Sequence, residues 1–191
     1  PRKDGGVEKA IGLLKGTSPK QILDVATGTG DFAIESLKLN PDTVIGVDIS
    51  EGMLEVGRRK LRDRHLETRI ALRQGDSENL PFEDNFFNVV TLLAVVEHLN
   101  PNSMAALFQE AYRVLRPDGV VIMTTPAAWS DGLLKFMARI NLVSKEEIHE
   151  HVFAYTLPLL GWYFGRAGFA MTKVNFGYFE FVFNMWAVAR K

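Results

Sequence analysis

The sequence predicts an α/β fold: a mostly parallel seven-stranded sheet with helices on both faces, closed by a C-terminal antiparallel hairpin. Two observations predict it. Between residues 7 and 124, short runs of Val, Ile and Leu alternate with amphipathic stretches of helical period. That succession builds a parallel sheet buried on both faces. After residue 168, two strand-like segments follow each other too closely for a crossover, so they must pair antiparallel. With 191 residues the chain can bury a sizeable core, and residues 1–191 read as a single domain.

Each element has a local reason. Residues 7–15 form a short amphipathic helix, stopped by Gly16 and Pro19. Residues 21–26 are the first strand, and 31–39 the helix after it. Residues 43–48 are the second strand, 51–64 the next helix and 69–73 a short third strand. The apolar run 88–93 suits a buried fourth strand. Residues 101–115 form a helix with Pro101 at its start, ended by Arg116-Pro117-Asp118-Gly119. Residues 120–124 are the fifth strand. Residues 129–141 place Leu133, Leu134, Phe136, Met137 and Ile140 on one helical face, and 157–167 form a helix stopped by Gly168. Residues 127–167 are therefore expected as a helical lid or substrate-binding insertion. Residues 169–177 and 180–189 complete the sheet. Their aromatic side chains alternate as core residues do, with some free to line an apolar pocket.

Composition narrows the function classes. The chain is 47% hydrophobic and 24% charged, as globular proteins are. A net charge of −1 gives no field that draws nucleic acid, so no such partner is expected. The absence of cysteine excludes disulfides, thiolate metal sites and cysteine nucleophiles. No run of eighteen apolar residues occurs, so no transmembrane segment is expected. Residues 1–6 carry no apolar signal core, and a cytoplasmic location is expected. Nothing in the pattern indicates an oligomeric state.

The densest information lies in Ile22-Leu23-Asp24-Val25-Ala26-Thr27-Gly28-Thr29-Gly30-Asp31-Phe32-Ala33. An apolar strand enters a glycine-rich turn and a helix follows. Such a turn exposes bare backbone, and the helix start adds unsatisfied N–H groups. Gly28-Thr29-Gly30-Asp31-Phe32-Ala33 satisfies G-x-G-x-x-G/A, with Asp48 about where the ribose-binding acid of a dinucleotide site should stand. The acids argue otherwise. A pyrophosphate would lie at the helix N-terminus, where Asp31 sits, with Asp24 ending the strand before it. Two carboxylates suit a ligand with an ammonium group and hydroxyls. S-Adenosylmethionine is such a ligand.

The chain resembles class I S-adenosylmethionine-dependent methyltransferases, which have a Rossmann-like fold. Asp24-x-Ala26-x-Gly28-x-Gly30 is similar to their D/E-x-G-x-G-x-G pattern, with alanine at the first glycine. Leu115-Arg116-Pro117-Asp118-Gly119 resembles their Leu-Lys-Pro-Gly-Gly turn, with Asp118 at the first glycine, a residue turns tolerate. Residues 22–87 look most like the menaquinone/ubiquinone C-methyltransferase family. The segments that carry this are Asp24 to Asp31, Gly46-Val47-Asp48-Ile49-Ser50-Glu51-Gly52-Met53-Leu54, and Gly75-Asp76-Ser77-Glu78-Asn79-Leu80-Pro81-Phe82. After the fourth strand that family continues with a Gly-Val-Arg-Asn-like segment. This chain reads Ala94-Val95-Val96-Glu97-His98-Leu99, as generic small-molecule methyltransferases do.

The resemblance implies a set of cofactor contacts. Asp24, Ala26, Gly28 and Gly30 belong to the turn, and Asp48 would accept hydrogen bonds from both ribose hydroxyls. Ile49 and Met53 would pack on adenine or ribose, although Met53 also fits an ordinary helix core. Asp76 and Ser77 would recognise adenine. Leu93, at the end of the fourth strand, completes the set. Asp31 reads equally well as a first-turn acid stabilised by the helix dipole.

Histidines are the acid–base candidates. His65, beside Arg64 and Glu67, reads as solvated surface. His98 follows the fourth strand, where it either lines the pocket or ends a helix. His149 and His151 flank Glu150, but a spacing of two diverges side chains on a helix and no third ligand is evident, so no metal is expected. His151 is the first choice for a substrate-facing base and His98 the second.

The expected function is methyl transfer from S-adenosylmethionine to a small acceptor by in-line displacement, a reaction that needs alignment and exclusion of water. A hydroxyl or enolisable carbon acceptor also needs a base, and histidine suits neutral pH. The acceptor is expected to be a quinol-like ring, a lipid or a sugar, apolar or membrane-derived. Two alternatives stay open: an NAD(P)-dependent oxidoreductase, and a non-catalytic module that binds an adenosyl ligand.

Overall fold

The structure, a computed structural model, describes residues 5–127 and 155–191. Its elements are α1 Gly5–Leu13, β1 Gln21–Val25, α2 Asp31–Glu35, β2 Thr43–Asp48, α3 Glu51–Asp63, β3 Ile70–Gln74, β4 Phe87–Leu93, α4 Pro101–Val114, β5 Leu115–Pro126, α5 Leu157–Ala167, β6 Val174–Phe179 and β7 Asn184–Arg190. The helix expected over residues 129–141, most of the expected lid, and His149 and His151 lie outside the described residues.

The seven strands form one sheet in the order β3-β2-β1-β4-β5-β7-β6. β1 to β5 pair in parallel, and β7 pairs antiparallel with both β5 and β6. The α/β fold with its C-terminal antiparallel pair is therefore as the sequence predicts. β7 alone runs against its neighbours, because the hairpin places it between β5 and β6.

Alternation along the strands divides the core between the two faces. Ile22, Val44, Val89 and Ile122 pack with Val7, Ala10, Phe32, Leu54 and Leu61 beneath α1, α2 and α3. Leu23, Ile45, Val90 and Val121 pack with Leu107, Phe108, Ala111, Leu160 and Phe164 beneath α4 and α5. The Phe108 and Phe164 rings meet edge-on at 4.6 Å, which locks α5 to α4. Asn100 caps α4, its Oδ1 accepting from the N–H groups of Asn102 and Ser103 at 2.9 and 3.1 Å.

β5 runs over Leu115–Pro126 and takes in residues 116–119, which the sequence reading made the turn that ends the preceding helix; Leu115 pairs with Phe87 across an irregularity in the ladder, which lengthens the strand. At three further boundaries the difference has a plain local reason. The helix after the glycine turn is α-helical only to Glu35 and tightens into a 3₁₀ turn over Ser36–Leu39. Ser36 donates its hydroxyl to the Ala33 carbonyl, and Asn40 ends the segment in the left-handed region. β6 begins at Val174 rather than near residue 169, because the Phe169 N–H bonds to the Phe164 carbonyl and holds the chain in the C-cap of α5. β7 begins at Asn184, because Glu180, Phe181 and Val182 all take positive φ and make the hairpin turn. No helix among the described residues is long and apolar enough to cross a membrane.

The loop between β3 and β4 is fastened by one side chain. All five N–H donors of Arg113 are used. They reach the Leu80 and Phe82 carbonyls at 2.9 and 2.7 Å, Asp84 Oδ1 at 2.7 Å, and both Glu110 oxygens at 2.7 Å. Glu110 Oε2 also accepts from the Leu80 N–H at 2.7 Å. Replacing Arg113 by alanine is expected to lower the unfolding midpoint by roughly 4–10 °C, from about 2–3 kcal/mol of lost charge-assisted hydrogen bonding. Differential scanning calorimetry checks this.

Candidate functional site

Four chain segments converge at the carboxyl ends of β1, β2, β3 and β4. They enclose a cleft of about 640 Å³. Ala26 and Gly28 come from the glycine turn, and Asp48, Ile49, Ser50 and Met53 from the β2–α3 junction. Gly75, Asp76, Ser77 and Glu78 follow β3, while Ala94, Val95, His98 and Leu99 follow β4. Ligands of open parallel sheets bind at this edge, and the volume falls in the range of small-molecule sites.

The glycine turn is left-handed three times. Ala26, Gly28 and Gly30 have φ of 55°, 55° and 77°. Two of these positions carry the residue that tolerates such angles, and Ala26 bears strain. The helix behind the turn comes close: a Cβ at Gly57 of α3 would stand 3.1 Å from the Thr29 carbonyl oxygen. Glycine at 57 lets α3 lie against the turn.

Asp48 fixes the turn from the side. Its Oδ2 accepts from the Gly28 N–H at 2.7 Å and its Oδ1 from the Ser50 N–H at 2.8 Å. A carboxylate offers roughly four acceptor positions, so about two remain for a ligand diol. Ile49 is 73% exposed and Met53 44%, an apolar pair beside the acid. Asp76 is exposed at the other end, its Oδ1 accepting from the Glu78 N–H at 2.9 Å.

Asp24 lies beneath the turn, 3% exposed, and is not part of the cleft lining. Its oxygens accept from Thr27 Oγ1 at 2.6 Å and Thr91 Oγ1 at 2.7 Å. Asp24 and Thr91 stand opposite each other in the β1–β4 register. Burial pushes the Asp24 carboxyl up to about 6; the two hydroxyls oppose the shift, and the charges of Asp48 and Asp31 add to it. Gly30 and Leu93 also fall outside the lining; Leu93 packs against the core beneath α1, α2 and α3.

Asp31 faces away from the cleft. Lys60 Nζ contacts its Oδ1 and Oδ2 at 2.9 and 3.0 Å, and Thr29 Oγ1 donates to Oδ2 at 2.8 Å. Burial alone would raise this carboxyl, but the Lys60 and Thr29 hydrogen bonds and the Lys60 and Arg64 charges outweigh it and hold it low. Its negative charge is thus paired, and the acids that line the cleft are Asp48, Asp76 and Glu78.

The structure brings together Ala26, Gly28, Asp48, Ile49, Met53, Asp76, Ser77 and His98. Sequence reasoning missed Ser50, Glu78, Val95 and Leu99 as lining residues. It also missed Ala94, whose φ of 51° places it in the left-handed region although alanine carries no sign of that. Next to the cleft, Glu97 is 4% exposed and accepts from Thr125 Oγ1 at 3.0 Å. Thr91 did carry a signal, a hydroxyl within an otherwise apolar strand.

The Asp24 environment has a pH signature. A carboxyl whose folded value is raised from 3.8 to about 6 contributes stability below pH 4 that is lost as pH rises through 6. Between pH 5 and pH 8 the loss amounts to about 1–2 kcal/mol. Urea unfolding across this range is expected to show that slope in the parent chain and to lose it in Asp24→Asn.

Residues 22–119 match the family described as "Methyltransferase domain". The demethylmenaquinone methyltransferase of Bacteroides fragilis is 43% identical over 122 residues, 62% of this chain and 49% of that protein. The ubiquinone/menaquinone biosynthesis C-methyltransferase UbiE of Geobacter sulfurreducens is 31% identical over 161 residues, 83% of this chain and 58% of that protein. The chain thus spans about half the length of the curated relatives it matches. Among solved structures, the S-adenosylmethionine dependent methyltransferase from Mesorhizobium loti superposes with a TM-score of 0.75 at 17% identity, covering 98% of this chain and 99% of that one. At that identity the likeness establishes the fold.

Proposed function

Because the chain belongs to the methyltransferase domain family, we propose that it transfers the methyl group of S-adenosylmethionine to a ring carbon of a quinol-like acceptor. The carrying observation is the pair of acids at successive strand ends, Asp48 and Asp76, with exposed Ile49 and Met53 lying along the same cleft. The residues fit the cofactor. Asp48 keeps acceptor capacity for a ribose diol, Ile49 and Met53 would offer an apolar face to adenine, and Asp76 would accept from its amino group. The dinucleotide reading is disfavoured by the match of residues 22–119 to the methyltransferase domain family. The quinol ring is supported by the names of the relatives from Bacteroides fragilis and Geobacter sulfurreducens.

When bound, S-adenosylmethionine supplies an electrophilic methyl group on a sulfonium, whose departure leaves a neutral thioether. The protein's part is to orient, to exclude water and to manage one proton. Val95 and Leu99 give the β4 side of the cleft an apolar wall. His98 lies at the exposed rim on that side and is assigned as the base, an imidazole nitrogen taking the proton of the acceptor hydroxyl. Loss of that proton makes the ring electron-rich at the neighbouring carbon, the atom that would form the new bond to the methyl group; that carbon then sheds its own hydrogen as a proton and the oxygen regains one, which restores the quinol with a net release of one proton. His151, the other expected base, lies outside the described residues.

Two measurements test the reading. Calorimetry with S-adenosylhomocysteine should find binding weakened by roughly 30-fold or more in Asp48→Asn and several-fold in Asp76→Asn, since hydrogen bonds to charged groups are lost; unchanged affinity in Asp48→Asn overturns the ribose role. Steady-state assays on a reduced demethylated naphthoquinone should find kcat lowered by about 10²-fold in His98→Asn; an unchanged kcat removes His98 as the base.

A further inference from the structure

β5 runs past the end of its neighbour. Leu93, the last residue of β4, pairs with Thr124, and β5 continues through Thr125 and Pro126. The Ala94 N–H still reaches the Thr124 carbonyl at 3.0 Å, and there the two chains part. The overhang is anchored from its other side, where Thr125 and Pro126 pair with Met185 and Asn184 of β7. It therefore presents fixed side chains to the segment that follows β4. That segment contains a 3₁₀ turn, Val96–His98. Val95, His98 and Leu99 line the cleft, and Glu97 does not. Glu97 is 4% exposed, and its Oε2 accepts from Thr125 Oγ1 at 3.0 Å; Thr125 itself is 3% exposed. It is a buried acid that the methyl transfer does not use.

Burying a carboxylate is costly, and a hydrogen bond to it offsets part of that cost. The geometry of the turn gives the arrangement a use. A 3₁₀ helix has three residues per turn, so successive side chains point about 120° apart. Fixing the direction of one side chain fixes that of the next. Glu97, held on Thr125, sets the rotation of the turn, and His98 follows it at the exposed rim of the cleft. The backbone bonds of the turn do less. The His98 N–H reaches the Val95 carbonyl and the Leu99 N–H the Val96 carbonyl, both at 3.1 Å. These close the turn without tying it to the sheet. The Glu97–Thr125 bond spans 28 residues and crosses from the turn to the strand, and charge on the acceptor strengthens it.

We propose that Glu97 is a positioning residue: clasped to the overhanging Thr125, it aims the His98 imidazole at the acceptor hydroxyl. The inference rests on the quinol reading above, with His98 as the base. Glu97 lies outside the cleft lining, so it acts through His98 and not on the reacting atoms. Releasing the clasp leaves the turn closed and lets it rotate, which misplaces the imidazole. Asp48, Ile49, Met53 and Asp76 stand on other segments, and the cofactor side of the cleft is untouched.

The test is a double-mutant cycle, read on a reduced demethylated naphthoquinone. Thr125→Val removes the hydroxyl and keeps the β-branched shape that suits a strand. Its kcat is expected to fall roughly 10-fold, while KM for the ring and S-adenosylhomocysteine affinity stay within about two-fold. Thr125→Ser restores the donor and should recover most of the kcat. In a His98→Asn background, Thr125→Val should change kcat by less than about two-fold, because the group that the clasp aims is gone. Thr125→Ala makes the same comparison if the valine variant does not fold. An unchanged kcat in Thr125→Val overturns the positioning role. So does a loss of equal size with His98 present and absent, which marks a merely structural contact. A serine variant as slow as the valine one, or a loss carried by KM or by S-adenosylhomocysteine affinity instead of kcat, overturns it too. A His98→Asn variant with the parent kcat, or a parent chain without turnover on this ring, overturns the reading beneath the proposal and the proposal with it. A slowed His98→Asn beside an unaffected Thr125→Val overturns the positioning role alone.

Discussion

The carboxylate of Asp48 holds the site together. It receives the Gly28 N–H on one oxygen and the Ser50 N–H on the other, so one side chain joins the turn after β1, the end of β2 and the start of α3. Charge strengthens both bonds. The turn cannot drift from the strand end, and α3 starts at a set angle, with the Ser50 hydroxyl accepting from the Met53 N–H at 3.3 Å. Ile49 and Met53 are thereby presented to the cleft instead of to the core. The apolar and acidic character of the floor follows from one carboxylate and the residues around it.

A second carboxylate works below the first. Asp24 is removed from water, which is costly, and the Thr27 and Thr91 hydroxyls offset part of that cost. The arrangement depends on strand register, since Asp24 meets Thr91 only because β1 and β4 are aligned as they are. Left-handed alanines flank the ligand space on two sides, Ala26 in the turn and Ala94 after β4. Each costs about 1–2 kcal/mol. The surrounding backbone holds both in place: the Thr27 N–H bonds to the Val47 carbonyl and the Ala94 N–H to the Thr124 carbonyl, each at 3.0 Å. Strain that clusters around a cleft is consistent with a site whose shape matters more than local comfort.

The β3–β4 loop and the C-terminal part follow the same logic of attachment. Arg113 and Glu110 hold the segment that follows Asp76 to α4, which positions the far end of the cleft. Tyr155 ties the start of α5 to Leu99. α5 then packs through Phe164 on Phe108 and leaves Trp162 outward. An apolar groove between α5 and the edge strand β6, lined by Trp162, is thus a product of how the helix lies across that strand.

Much of this was legible in the chain itself. Hydrophobic periodicity determined the strands and helices, because a two-residue or 3.6-residue repeat has one way to bury its apolar face. Motif spacing determined which strand ends carry Asp48 and Asp76, because a parallel sheet gathers its strand ends at one edge. Only the tertiary structure decided which acids line the cleft. Asp24 and Asp31 look alike beside the glycines, yet one is buried against Thr91 and the other paired with Lys60, a partner nearly thirty residues away. The groove between α5 and β6 was likewise beyond the sequence, for Gly161, Gly165, Met171 and Phe176 acquire a common surface only when the helix lies across the edge strand. Local pattern specifies each element; packing alone determines which side chains are left with room beside them.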